Sequence, residues 1–211
     1  MEVQSKKQNQ EASLDYYLPI YSKLDPSEVT ARTGIEFDTK HSRFILPVLG
    51  HTLHADFPEF KLTQGDPHPK TLCGFQMQIL TMRVLTAGVY TPPSGKLLAY
   101  RELPWGDVYD ANFSGRCIKR FAYGFGYKSE AFEKAAQKLG GTKPDSKTAG
   151  DIAYDFPFLG GITCRFILWK PDDEFPPSAQ ILFSDNAALT YNAEDLAVTA
   201  DIIISTLKEL S

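Results

Sequence analysis

The spacing of apolar residues switches repeatedly along this chain, and the order of the switches restricts the fold more than any other feature. Leu14, Tyr17, Leu18, Tyr21 and Leu24 fall at helical spacing, interrupted by Pro19, which must kink or divide the helix. Asp25-Pro26-Ser27-Glu28 then reads as a helix start, with a capping carboxylate and a proline in the first turn, and Gly34 is placed to stop that helix. From Ile35 to Phe60 the period becomes two: Ile35 and Phe37, then Phe44 and Leu46, then Leu53, Ala55 and Phe57, a pattern that predicts an antiparallel meander.

Beyond a loop at Gly65-Asp66-Pro67-His68-Pro69, Leu72, Phe75, Ile79 and Met82 return to helical spacing and predict a buried central helix ending near Ala87. Leu97 to Leu103 reads as a short extended segment, and helices are expected over residues 114–123 and 129–139. A polar linker from Thr142 to Gly150 leads to strands at Ile152 to Phe156, Ile162 to Trp169 and Ala179 to Phe183, the middle one apolar enough to lie inside a sheet. Asn192 caps a last helix whose stripe is Leu196, Ala200, Ile203 and Leu207. Helices, strands, helices, strands, helix in that order predict an α+β fold, with antiparallel sheets packed against helices in a single domain over residues 11–211 and a disordered tail over residues 1–10.

Charge excludes some partners. A formal net charge of −4, with lysines and arginines scattered, offers no footprint for phosphate backbones or anionic lipid, so neither nucleic acid nor membrane is expected. The polar residues Met1 to Gln10 have no apolar core like that of a secretory signal. The odd set Cys73, Cys117 and Cys164 suits reduced thiols, and together these features predict a cytoplasmic protein.

Most catalytic signatures fail. Gly95-Lys96 is followed by Leu97 rather than Ser or Thr, Gly124-Phe125-Gly126 lacks the third glycine of a dinucleotide turn, and Ser114 is flanked by Asn112 and Arg116 where a nucleophile elbow carries glycines. His41, His51, His54 and His68 crowd near Asp56, but His51 and His54 point to opposite faces of a strand, so no metal site is expected. Cys164, in the most apolar strand, reads as a core residue. The acidic stretch Asp172-Asp173-Glu174 reads as a solvated hairpin connection.

One segment stands apart: Tyr100-Arg101-Glu102-Leu103-Pro104-Trp105-Gly106-Asp107-Val108-Tyr109-Asp110 packs charged and aromatic groups around a proline–glycine turn. Arg101 could clamp a carboxylate or phosphate, Trp105 could stack on a planar ligand, and Glu102 could serve as a base. The first expectation is an accessory module that binds a small molecule or a redox partner through Arg101, Glu102, Trp105 and Tyr109. The second is an enzyme with Glu102 as base, Arg101 as clamp, and Asp107 or Tyr109 as a further acid–base group. The third is a structural subunit presenting Phe121, Tyr123, Phe125 and Tyr127 as an aromatic surface.

Tyr100-Arg101-Glu102-Leu103-Pro104 with Gly106 and Tyr109, and Leu168-Trp169, Glu174-Phe175-Pro176-Pro177, Leu182-Phe183, Tyr191 and Glu194-Asp195-Leu196-Ala197, resemble a domain-of-unknown-function family, numbered 3786, of anaerobic bacteria and archaea. The resemblance runs from about Leu14 to Leu207 and implies no established activity. Relatives are often fused to an iron–sulfur domain and occur near corrinoid and one-carbon metabolism. It therefore implies a separate iron–sulfur or corrinoid partner, since the cysteine cluster of the fused form is absent here and no bound cofactor is expected.

Overall fold

The computed structural model describes residues 14–64, 69–145 and 150–211. The expected tail, most of the Gly65–Pro69 loop with His68, and part of the Thr142–Gly150 linker lie outside the described residues.

Helix α1 covers residues 14–21 and runs through Pro19. Helix α2, Pro26–Thr33, starts as its punctuation requires: Asp25 Oδ1 accepts the N–H groups of Ser27 and Glu28, and Gly34 closes the helix at φ 71°. Asp25→Ala is expected to lower the midpoint of urea unfolding with the slope unchanged, through loss of the N-cap.

Strands β1 (Glu36–Asp38), β2 (Arg43–Val48), β3 (His51–Asp56) and β4 (Leu62–Gln64) form an antiparallel meander in sequence order. The short β4 extends the expected meander by one strand. Phe44, Leu46, Val48, Leu53 and Ala55 are buried, while Pro47 and Thr52, paired across β2 and β3, face outward.

Gly74 separates a 3₁₀ turn, Lys70–Cys73, from helix α3, Phe75–Ala87, so the expected stripe is broken at its first turn. The face that α3 buries is Met77, Leu80, Thr81, Met82, Val84 and Leu85, with Phe75 and Ile79 only partly covered. An all-round apolar helix hides its true inner face from spacing arguments.

The second sheet has the order β5 (Leu97–Ala99), β8 (Ser178–Ser184), β7 (Ile162–Trp169), β6 (Ile152–Phe158), and every pairing is antiparallel. Strand β7 is interior, as its apolar run predicts. Phe166 of β7 meets Phe121 of α5 (Arg120–Phe125) at 5.1 Å, and Tyr154 of β6 meets Phe132 of α6 (Ser129–Lys138) at 5.6 Å between ring centroids. Helix α7, Ala193–Leu210, is capped by reciprocal bonds between Asn192 and Asp195 and buries its expected stripe. Residues of both sheets and of the helices join one apolar core. The fold is α+β. Among the described residues, no helix is long and apolar enough to cross a membrane.

Two expectations need correction. The helix expected over 114–123 begins at Gly106: α4 (Gly106–Phe113) continues through a π-helical stretch, Ser114–Lys119, into α5. Helix α4 buries only Gly106 and Phe113, while Val108 and Tyr109 are exposed, so it has no apolar periodicity to detect. The aromatic surface is also halved, because Phe121 and Phe125 fill the core and only Tyr123 and Tyr127 are exposed.

Candidate functional site

The Tyr100–Tyr109 segment is anchored by its first residue. Tyr100 is buried, stacks on Phe113 at 3.9 Å and 5° between planes, and donates its hydroxyl to Ala193 O at 2.9 Å. Gly106 is required there, since a Cβ would sit 1.8 Å from Tyr100 O. Glu102 Oε2 accepts the Ala99 N–H at 2.6 Å, so this carboxylate braces the turn. Arg101 lines a hollow of about 200 Å³ with Asp110, Ser114 and Gln180. Trp105, 74% exposed, lines a different depression. Glu102, Asp107 and Tyr109 line none of the described cavities. Among the described cavities, no single one therefore gathers the residues expected to form one site.

The acidic connection after β7 is a local turn in which Asp172 Oδ1 accepts the N–H groups of Glu174 and Phe175. Its buried end, Pro177, packs against Gly126, and none of its residues lines the hollow of Arg101.

Strand β3 sets His51 opposite Val48 and His54 opposite Ile45, which are on opposite faces of the sheet. Burial, then the nearby Arg43 charge, holds the His54 imidazole below its ordinary value. His41 Nδ1 lies 2.6 Å from Asp38 Oδ2. Among the described residues, no three His, Cys, Asp or Glu side chains are grouped to hold a metal ion. Cys117 and Cys164 are buried thiols outside any disulfide; burial pushes Cys117 up to about 11 and Cys164 higher still, which keeps both protonated at neutral pH.

The largest of the described cavities escaped sequence reasoning. It is a cleft of about 740 Å³ between the first sheet and the β6–β7 turn. Its floor is the outward face of the meander, Glu36, Ile45, Pro47 and Thr52, brought side by side by strand register. Its far wall is Leu159-Gly160-Gly161, and Tyr90 closes one end with its ring so near Gly161 that a Cβ there would fall 2.5 Å from it. The two walls are tied where Leu49 N–H donates to Pro157 O at 3.1 Å. Among the described residues, no lysine or arginine lines the cleft, and Glu36 and His51 are its only ionisable groups besides the Tyr90 phenol. Strand alternation could have marked Ile45 as an outward apolar residue, but the opposite wall lies more than a hundred positions away in the chain.

A family model described as "Domain of unknown function (DUF3786)" matches residues 25–206. The chain belongs to this family. The match covers the meander, the central helix, the second sheet and nearly all of α7, so the cleft and the Tyr100–Tyr109 segment both lie within the DUF3786 region. A search of curated proteins and a search of solved structures each returned no match.

Proposed function

We propose that this DUF3786 chain is a non-catalytic, accessory module that binds a small molecule in the cleft between the meander and the β6–β7 turn. The supporting observation is the cleft itself: a volume of about 740 Å³ and a mostly apolar lining with a few polar groups among it, which is the usual make-up of a small-molecule site. Its charge selects the ligand. With Glu36 present and no lysine or arginine among the described lining residues, the cleft disfavours phosphates, sulfonates and carboxylates and favours a neutral or cationic molecule with an apolar body. The enzymatic alternative needs Glu102, Asp107 or Tyr109 to converge with Arg101, and the cavities do not supply that convergence.

The test uses the neutral dye N-phenyl-1-naphthylamine and the anionic dye 1-anilinonaphthalene-8-sulfonate. The neutral dye is expected to bind at least about tenfold more tightly, and Thr52→Trp, which places an indole in the cleft from an exposed position, is expected to weaken it by about tenfold or more. Equal affinity for the two dyes, or no effect of Thr52→Trp, would overturn the assignment.

A second reading, docking of a redox protein in anaerobic metabolism, draws on the exposed Trp105, Val108 and Tyr109 at the start of α4.

A further inference from the structure

The turn before α4 and the start of α7 enclose a depression of about 280 Å³, lined by Arg83, Trp105, Leu189 and Asn192 among others. Two features mark it out. Trp105 holds a left-handed backbone, φ 65°, while its side chain is exposed. A bulky residue in that conformation costs free energy, and here core packing returns little of it. Arg83 reaches the same depression from α3 and forms an ion pair there: Nε lies 3.0 Å from Asp195 Oδ1, outside hydrogen-bond geometry, and Cζ sits 5.9 Å from the Tyr17 ring centroid. Its η nitrogens have no hydrogen-bond partner among the described residues.

Asp195 is occupied on its other side, where Oδ2 accepts the Asn192 N–H at 3.1 Å, so it orients Arg83 without consuming the η edge. Glu194 is drawn to Arg116 at 2.8 Å rather than to Arg83. A planar guanidinium with a free edge pairs with a carboxylate in a fork geometry that an ammonium does not reproduce. An exposed indole lining the same depression offers a face for an aromatic ring. The volume lies at the lower limit for drug-sized ligands, which suits a single-ring molecule.

We propose that this depression binds small aromatic carboxylates, the carboxylate on the η edge of Arg83 and the ring on Trp105. The site is separate from the apolar cleft and opposite to it in charge preference, so either assignment can fail alone. Trp105 is close to Arg101 in sequence, but the fold places it in one depression with Arg83.

The chain has two tryptophans, Trp105 and Trp169, and so two indole N–H signals in a ¹⁵N-labelled sample. Titration with benzoate is expected to shift the Trp105 signal saturably and leave Trp169 still. Benzamide, of the same shape without the charge, is expected to bind at least about tenfold more weakly. Trp105→Ala should abolish benzoate binding, followed then on backbone signals of Ala193 and Leu189. Arg83→Lys, which keeps a cation beside Asp195, should weaken it by about tenfold. Equal binding of benzoate and benzamide, unchanged affinity in either variant, shifts of both indoles together, or no Trp105 shift up to about 10 mM benzoate would overturn the proposal.

Discussion

Phe166→Ala is expected to destabilise the protein by about 3–5 kcal/mol, the upper part of the range for truncating a core side chain. Phe166 is fully buried on β7, with its ring edge-on to Phe121 and to Phe156 at 5.1 and 5.4 Å. Its backbone is paired to Tyr154 on one side and Ile181 on the other, so the strand cannot move in to close the hole. Urea unfolding should show a lower midpoint with an unchanged slope. Phe175→Ala, at a ring 65% exposed on the acidic connection, should stay within about 0.5 kcal/mol. A loss below about 1 kcal/mol for Phe166→Ala would mean that the aromatic layer between β7 and α5 is not closely packed.

Arg83→Gln is expected to cost about 3 kcal/mol or more at neutral pH, because it leaves a buried carboxylate without its cation. Burial is the main influence on Asp195 and pushes its carboxyl above the ordinary value, while Arg83 and the Asn192 N–H pull it down. A carboxyl raised in the folded state favours folding when protonated. That contribution is complete below the unfolded value and is lost as pH rises through the folded one. Without Arg83 the folded value moves further up and the window widens toward neutrality. The gap in stability between variant and wild type should therefore narrow on acidification from about pH 7 to about pH 5. Thermal melts across that range read it directly, and a gap that stays constant or widens would contradict the coupling of Arg83 to Asp195.

The parts of the fold legible in the sequence share one property: their signals are local. Asp25-Pro26 and Gly34 delimit α2 because a cap and a left-handed stop act within a few residues. Asn192 and the stripe Leu196 to Leu207 mark α7 for the same reason, and the run Ile162 to Trp169 marks an interior strand because both its faces are covered. Helix α4 was not legible, since it lies on the surface with Phe113 as its main inward side chain and starts after a tryptophan in a conformation usually left to glycine.

The candidate sites were only partly legible. Arg101 and Trp105 are both exposed, but their proximity in sequence implied a shared pocket, whereas they line different cavities. Element type, punctuation, charge and the failure of catalytic motifs were determined by the sequence itself, because each depends on residues within a few positions of one another. The tertiary structure alone decided that Arg83 and Trp105 would line one depression and that Ile45 and Gly160 would line one cleft. Those meetings depend on how two sheets and α7 pack, and packing joins residues by shape and buried area irrespective of their distance along the chain.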